Sequence, residues 1–134
     1  MIHTNKTFNE FLNDAKSRIT EIDIEGADKL ISQGYNVLDI REPHEHEASH
    51  IEGSINIPRG VLEPAADLTF EGANPDLRDA RDSQWLVVCA TGGRAALATD
   101  TLQQMGFKNM VNLAGGMNAW ESAGKKVLVS EPIY

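Results

Sequence analysis

Residues 86–97 of the chain read LVVCATGGRAAL, and this stretch decides the fold. An apolar run ends at Cys89, two glycines follow, and an alanine-rich segment begins directly after Arg94. The pattern predicts a buried strand, a tight loop and a helix. Because ligands of open α/β sheets bind just beyond the carboxyl ends of the strands, Cys89 is the first candidate nucleophile.

The predicted loop is suited to hold an anion. A helix that starts there offers backbone N–H groups without partners inside the helix, and such groups also stabilise a thiolate. Gly92 and Gly93 permit the dihedral angles that aim successive amides at one point, and Arg94 adds a positive charge at the rim. The alternative is that Cys89 is only a small apolar residue at the end of a core strand. The spacing favours the nucleophile.

Two helices are predicted before this stretch. Thr7 and Glu10 stand at capping-box spacing, which predicts a first helix over about residues 8–17. Asp23 is a suitable N-cap for a second helix, and Gly34 has the position of its C-terminal stop.

The rest of the chain alternates between strands and helices. Strands are predicted over residues 35–40, 55–57 and 110–113, and a last short helix ends at Gly124. Residues 59–83 contain several helix breakers and many charges, which predicts a partly helical excursion over the surface that acts as a lid or a partner-facing flap.

This order predicts an α/β fold. Strands that alternate with helices imply right-handed crossovers and a mostly parallel central sheet of about five strands, with helices on both faces. At 134 residues we expect a single domain over residues 1–134.

Charge and composition exclude several classes of protein. Twelve basic against twenty acidic side chains give a formal charge of −8, so we expect neither nucleic acid nor an anionic membrane as a partner. The chain has no apolar run of membrane-spanning length and begins without the apolar core of a signal peptide, which predicts a cytoplasmic protein. The single cysteine excludes a disulfide within the chain, so whatever Cys89 acquires must pass to another molecule.

Three stretches resemble the rhodanese-like sulfurtransferases. Residues 88–98 are similar to the active-site loop and following helix of that family, residues 37–43 with 50–58 to its N-terminal signature, and residues 112–120 to its C-terminal signature. The similarity covers about residues 20–125, with the helix over 8–17 outside it. The resemblance implies the rhodanese-like fold and a catalytic Cys89 that cycles between thiol and persulfide. It implies that the substrate is bound by the loop residues Ala90, Thr91, Gly92, Gly93, Arg94 and Ala95.

The chemistry implied by the resemblance is sulfur transfer. The Cys89 thiolate attacks the outer sulfur of a small anionic donor such as thiosulfate, and the persulfide is passed to a thiol, a protein or cyanide. This cycle requires no metal and no organic cofactor. A sulfur-carrier or regulatory module that serves a protein partner is a second hypothesis. A cysteine-dependent phosphatase or arsenate reductase is a third, which loop length disfavours: those relatives place five residues between cysteine and arginine, whereas four separate Cys89 from Arg94.

The sequence also departs from the family pattern. Ala90 and Thr91 stand where several thiosulfate-preferring members carry basic residues, so we expect thiosulfate to be a poor donor and a persulfide or polysulfide to be a plausible one. Ser49 and Glu52 stand where glycine and proline are usual, in a segment interpreted as structural.

Several other residues have two interpretations. The residues from His46 to His50 match the zinc-protease pattern His-Glu-x-x-His, but no obvious third ligand follows, so no catalytic metal site is expected; with His44 nearby, incidental metal binding at the surface is favoured over a catalytic site. Asp39 could be a catalytic carboxylate, although support of neighbouring backbone is favoured. Arg41 could bind an anion or pair with Glu42 or Glu45.

Three further expectations concern the edge of the sheet and the last helix. We expect Arg59 to face the Cys89 loop, because the strand before it should end on the same rim. Gly115 and Gly116 are expected to form a tight turn, and Trp120 a core or rim contact.

Overall fold

The computed structural model describes residues 5–130, in which strands and helices alternate along the chain. The strands are β1 (Glu21–Ile22), β2 (Asn36–Asp39), β3 (Ile55–Asn56), β4 (Gln84–Val88) and β5 (Asn109–Leu113). The helices are α1 (Phe8–Lys16), α2 (Ile24–Ser32), α3 (Pro43–Ala48), α4 (Leu62–Ala66), α5 (Pro75–Arg78), α6 (Gly93–Gln104) and α7 (Gly116–Ser122), with a 3₁₀ turn over Arg59–Val61.

The five strands form one parallel sheet in the order β1-β5-β4-β2-β3. This confirms the predicted α/β class and parallel sheet. The apolar run of β4 lies in the middle of the sheet, where both faces are covered, and this explains why it does not alternate with polar residues. Asp39 at the end of β2 is in register with Val88 at the end of β4, so both strands deliver their next residues to the same edge.

Apolar side chains pack on both faces of the sheet. Successive residues of a strand point to opposite faces, so Val87 belongs to one core cluster while Leu86 and Val88 belong to the other. The second cluster includes Trp120 of α7, which confirms its expected core contact.

The predicted helix boundaries are confirmed where capping residues mark them. Thr7 and Glu10 form both bonds of a capping box at the start of α1, and the Asp23 side chain accepts the N–H of Gly26 at the start of α2. Gly34 has a φ of 99°, a left-handed conformation that suits a residue just past a helix end.

The structure corrects the prediction for residues 59–83. The segment is partly helical, as expected, but it is not an excursion over the surface. Leu62, Ala66 and Leu77 have no exposed area and belong to the core cluster that contains Trp85. The helix here is only five residues long and contains Pro64, so its period is too short to be recognised in the sequence. Leu62 and Ala66 are nevertheless one helical turn apart and face the sheet together.

Truncation of Leu77 tests this correction. We expect Leu77→Ala to lower the free energy of unfolding by about 2–5 kcal/mol, because it removes a fully buried side chain and leaves a cavity. The matched control is Leu68→Ala, since Leu68 lies in the same segment with 65% of its surface exposed; it should change stability by less than about 0.5 kcal/mol. Chemical denaturation measures both, and equal small effects would restore the interpretation as a surface flap.

Candidate active site

Cys89 is the first residue after β4, and its side chain has no exposed area. Two backbone N–H groups point at its sulfur, one from the loop and one from the first turn of α6: Sγ accepts from Gly92 at 3.1 Å and from Ala95 at 3.3 Å. Gly92 has a φ of 101°, which a residue with a side chain rarely adopts. The loop therefore folds its amides around the thiol, as the glycine positions predict.

The other side of the loop is held by the start of α7. The N–H of Met117 donates to the Cys89 carbonyl at 2.7 Å, and the N–H of Asn118 donates to the Ala90 carbonyl at 3.0 Å. Because these carbonyls are bound outside the loop, the loop amides are left to face the sulfur. The predicted turn at Gly115 and Gly116 makes this contact, with φ values of 77° and 57°.

A buried asparagine supports the loop from the neighbouring strand. Asn112 of β5 is fully buried and donates from Nδ2 to the Gly92 carbonyl at 3.2 Å and to Oε2 of Glu21 at 2.8 Å. Sequence reasoning did not single out Asn112. The available signal was an asparagine between the apolar residues Val111 and Leu113 of the predicted strand, since buried amides require partners.

The loop arginine is bound by a carboxylate that the sequence did not reveal as its partner. Arg94 donates through both Nη atoms to the two oxygens of Glu45 on α3, at 2.9 and 3.0 Å. These hydrogen bonds lower the pKa of Glu45 from 4.5 to about 2, against a smaller opposing effect of burial. The pKa of Arg94 is raised, first by the hydrogen bonds to Glu45 and in part by the charges of Cys89 and Asp39 nearby.

Asp39 and Arg41 form a second ion pair close to the loop. Both side chains are buried, and Arg41 donates to the two carboxylate oxygens from Nε at 3.0 Å and from Nη2 at 2.8 Å. Asp39 also accepts the backbone N–H of Arg41, and Nη2 of Arg41 donates to the Ser49 carbonyl. Arg41 thus pairs with Asp39 instead of Glu42 or Glu45, and Asp39 supports the neighbouring backbone.

Arg59 does not fit the expectation that it faces the loop. Its guanidinium donates to Glu63 at 2.7 Å and to Oγ1 of Thr101 at 3.4 Å, and Thr101 lies two turns along α6 from the loop. The strand before it does end on the predicted edge, because the Arg59 N–H bonds to the Ile40 carbonyl. Glu63, one helical turn ahead, draws the side chain away from the loop.

The two histidines of the zinc-protease pattern are engaged with each other and with neighbours. Their rings stack at 4.0 Å, Nε2 of His46 lies 3.0 Å from Oγ of Ser54, and Nδ1 of His50 lies 2.8 Å from the His46 carbonyl. Burial, and secondly the charge of His50, lowers the pKa of His46. Within residues 5–130, no three histidine, cysteine or acidic side chains are placed to share a metal ion.

The chain belongs to the rhodanese-like domain family. The family model matches residues 24–123. This span includes the Cys89 loop, Glu45 and the α7 turn and leaves out α1 and β1.

Curated relatives agree with this assignment. The chain is 31% identical over 119 residues to thiosulfate sulfurtransferase 16 of Arabidopsis thaliana, covering 81% of this chain and 93% of that one. It is 30% identical over 113 residues to the Bacillus subtilis protein named "Putative sulfur carrier protein YrkF". That match covers 83% of this chain and only 56% of the relative, so the chain spans about half of its length.

Solved structures share the fold. A Rhodopseudomonas palustris protein, described as of unknown function and a possible tyrosine phosphatase, is 32% identical with a TM-score of 0.85, covering 96% of this chain and 99% of its own. A human single-domain sulfurtransferase is 25% identical with a TM-score of 0.67, covering 76% of this chain and 95% of its own. Across the described residues, no helix has both the length and the apolar character needed to cross a membrane.

Substitution of Gly116 tests whether the α7 turn lies in close contact with the loop. A Cβ at Gly116 would overlap the Cys89 carbonyl oxygen and lie 2.6 Å from the Ala90 carbonyl oxygen. An alanine in a left-handed backbone conformation costs about 1–2 kcal/mol. We expect Gly116→Ala to lower the free energy of unfolding by clearly more than this, because of the overlap with the two carbonyl oxygens. Gly124→Ala is the matched control, because Gly124 has a φ of 73° and open space around it and should show that backbone cost alone. Equal free energies of unfolding for the two variants would contradict the tight contact.

Acid should remove the stability contributed by the Glu45–Arg94 pair. A carboxyl whose pKa is lowered in the folded state contributes stability above its unfolded pKa and loses it as the pH falls through the folded pKa. With values of 4.5 and about 2, the melting temperature of the wild type should exceed that of Glu45→Gln by a constant amount above about pH 5. The difference should then shrink continuously toward about pH 2. A difference that is the same at about pH 6 and about pH 3 would contradict this origin.

Proposed function

We propose that this chain is a sulfurtransferase that carries sulfane sulfur as a persulfide on Cys89. One observation carries the proposal: a buried thiol at a strand end accepts two loop N–H groups, at 3.1 and 3.3 Å. The loop places no charged side chain at Ala90 or Thr91, and the family and its sulfurtransferase relatives agree with this chemistry.

The proposed cycle conserves electrons and needs no cofactor. The Cys89 thiolate attacks the outer sulfur of a persulfide or of thiosulfate, a sulfur–sulfur bond of the donor breaks, and a thiolate or sulfite leaves with the electron pair. The new persulfide anion takes the hydrogen bonds of the loop amides. An acceptor thiolate, on a small molecule or on a protein, then attacks the outer sulfur, receives it as its own persulfide and returns Cys89 to the thiolate.

The donor, the acceptor and the location belong to the same proposal. The donor is a small anionic sulfur compound, preferably an organic persulfide, and the acceptor is a thiol. A sulfur-carrier role would use the same persulfide and deliver it to one protein partner. The only cysteine must stay reduced to act as a nucleophile, which suits the cytoplasm.

A cysteine-dependent phosphatase is the second candidate, because the Rhodopseudomonas palustris structure is described as a possible tyrosine phosphatase. Two features of this chain speak against it. Only four residues separate Cys89 from Arg94, and the Arg94 guanidinium is bound by Glu45 instead of being open to a phosphate.

Sulfur loading of Cys89 distinguishes these functions. Incubation with glutathione persulfide should add the mass of one sulfur atom to the intact wild-type chain and none to Cys89→Ser. Cyanide or a thiol should remove the sulfur. Failure of both glutathione persulfide and thiosulfate to load the folded wild type would contradict the proposal, and hydrolysis of an aryl phosphate that depends on Cys89 would support the phosphatase instead.

The number of catalytic turnovers on small thiols distinguishes a sulfurtransferase from a sulfur carrier. A sulfurtransferase should complete many cycles with free small thiols in excess of the protein. Stable loading with almost no turnover on such thiols would assign the chain to delivery of sulfur to a protein partner.

A further inference from the structure

The edge of the sheet that holds Cys89 carries three arginines, and each is bound by a carboxylate. They follow three neighbouring strands, β2, β3 and β4. The pairs are Arg41 with Asp39, Arg59 with Glu63, and Arg94 with Glu45. The positive charge at this edge is therefore neutralised, in a chain whose formal charge is −8.

Arg94 is the only one of the three that belongs to the loop. Glu45 occupies both of its Nη atoms, and neither side chain is fully buried: 39% of Arg94 and 26% of Glu45 is exposed. The other side chains between Cys89 and Arg94 are uncharged. An anionic donor that approaches the thiol thus meets the loop amides, a guanidinium already bonded to a carboxylate, and that carboxylate.

The charge of the donor decides how much this arrangement matters. Thiosulfate is a dianion, and it gains most from an open guanidinium, which binds oxyanions through two parallel hydrogen bonds. For the same reason, a nearby carboxylate weakens the binding of thiosulfate more than that of a singly charged donor. A persulfide of a small thiol carries a single charge on the reacting group, which the loop amides can accept without help from Arg94.

We propose that Glu45 is a specificity-determining residue that selects against dianionic sulfur donors by keeping Arg94 away from them. Glu45 does not touch the reacting sulfur; it acts through Arg94. This inference rests on the proposed sulfurtransferase function and names the donor class, organic persulfides, for that site.

Substitution of Glu45 by glutamine isolates the effect. The backbone N–H of Glu42 donates to Oε1 of Glu45 at 3.0 Å, and glutamine keeps an oxygen for this bond while it removes the charge. We expect kcat/KM for thiosulfate to rise about five- to tenfold in Glu45→Gln, mainly through a lower KM, because an unneutralised guanidinium attracts a dianion. The value for cysteine persulfide, whose ammonium offsets its carboxylate so that only the persulfide charge remains, should change by less than about twofold, and the gain with thiosulfate should shrink as salt is added.

Two further variants make the test specific. Glu47→Gln is the matched control: Glu47 lies on α3 as well, is exposed and takes part in no ion pair within residues 5–130, so it changes the net charge equally and should leave the donor ratio unchanged. The double variant Glu45→Gln/Arg94→Gln should lose the gain with thiosulfate, because the guanidinium that provides it is gone.

The outcomes separate this inference from the function on which it rests. An unchanged donor ratio in folded Glu45→Gln, or an equal fall with both donors, would overturn the inference while sulfur loading of the wild type still supports the function. If Glu45→Gln is too unstable to assay, Glu45→Ala removes both the carboxylate charge and its two hydrogen bonds to Arg94, and it must shift the ratio in the same direction. Failure of the wild type to take sulfur from any donor contradicts the function itself.

Discussion

The structure depends on the hydrogen bonds that the α7 turn donates to the carbonyls of Cys89 and Ala90. A loop of this length can expose either its carbonyls or its amides to the centre. Because Met117 and Asn118 bind the carbonyls from outside, the amides of Gly92 and Ala95 are directed to the sulfur. The left-handed turn that permits this approach has no room for a side chain at Gly116.

The second constraint is electrostatic. The role of each ion pair at the edge of the sheet depends on how deeply its side chains are buried. The Asp39–Arg41 pair is buried and ties the end of β2 to the backbone that follows, and loss of one partner from such a pair leaves an uncompensated charge. The Glu45–Arg94 pair is partly exposed and contributes little stability by comparison, so its main consequence is the charge that a substrate meets at the loop.

The features predicted correctly from the sequence are those that depend on residues close together in the chain. The strand, loop and helix around Cys89, the caps at Thr7 and Asp23, and the glycine turns follow from local rules and are present. Contacts between distant segments could not be predicted in the same way. Nothing in the local sequence joins Glu45 to Arg94, 49 residues away. The two-residue β1 is too short to give a pattern, and Leu77 lies among charges that concealed its burial. The backbone of Arg59 lies at the predicted edge of the sheet, but its side chain is directed by the hydrogen bond to Glu63.

A crystal structure of the protein after reaction with an organic persulfide tests the central claim most directly. The added sulfur should be bonded to Sγ of Cys89, and its outer atom should accept hydrogen bonds from the N–H groups of residues 90–95, with Arg94 still bound to Glu45. An outer sulfur that projects away from these amides, or one held by an Arg94 released from Glu45, would contradict the claim that the loop backbone alone stabilises the persulfide.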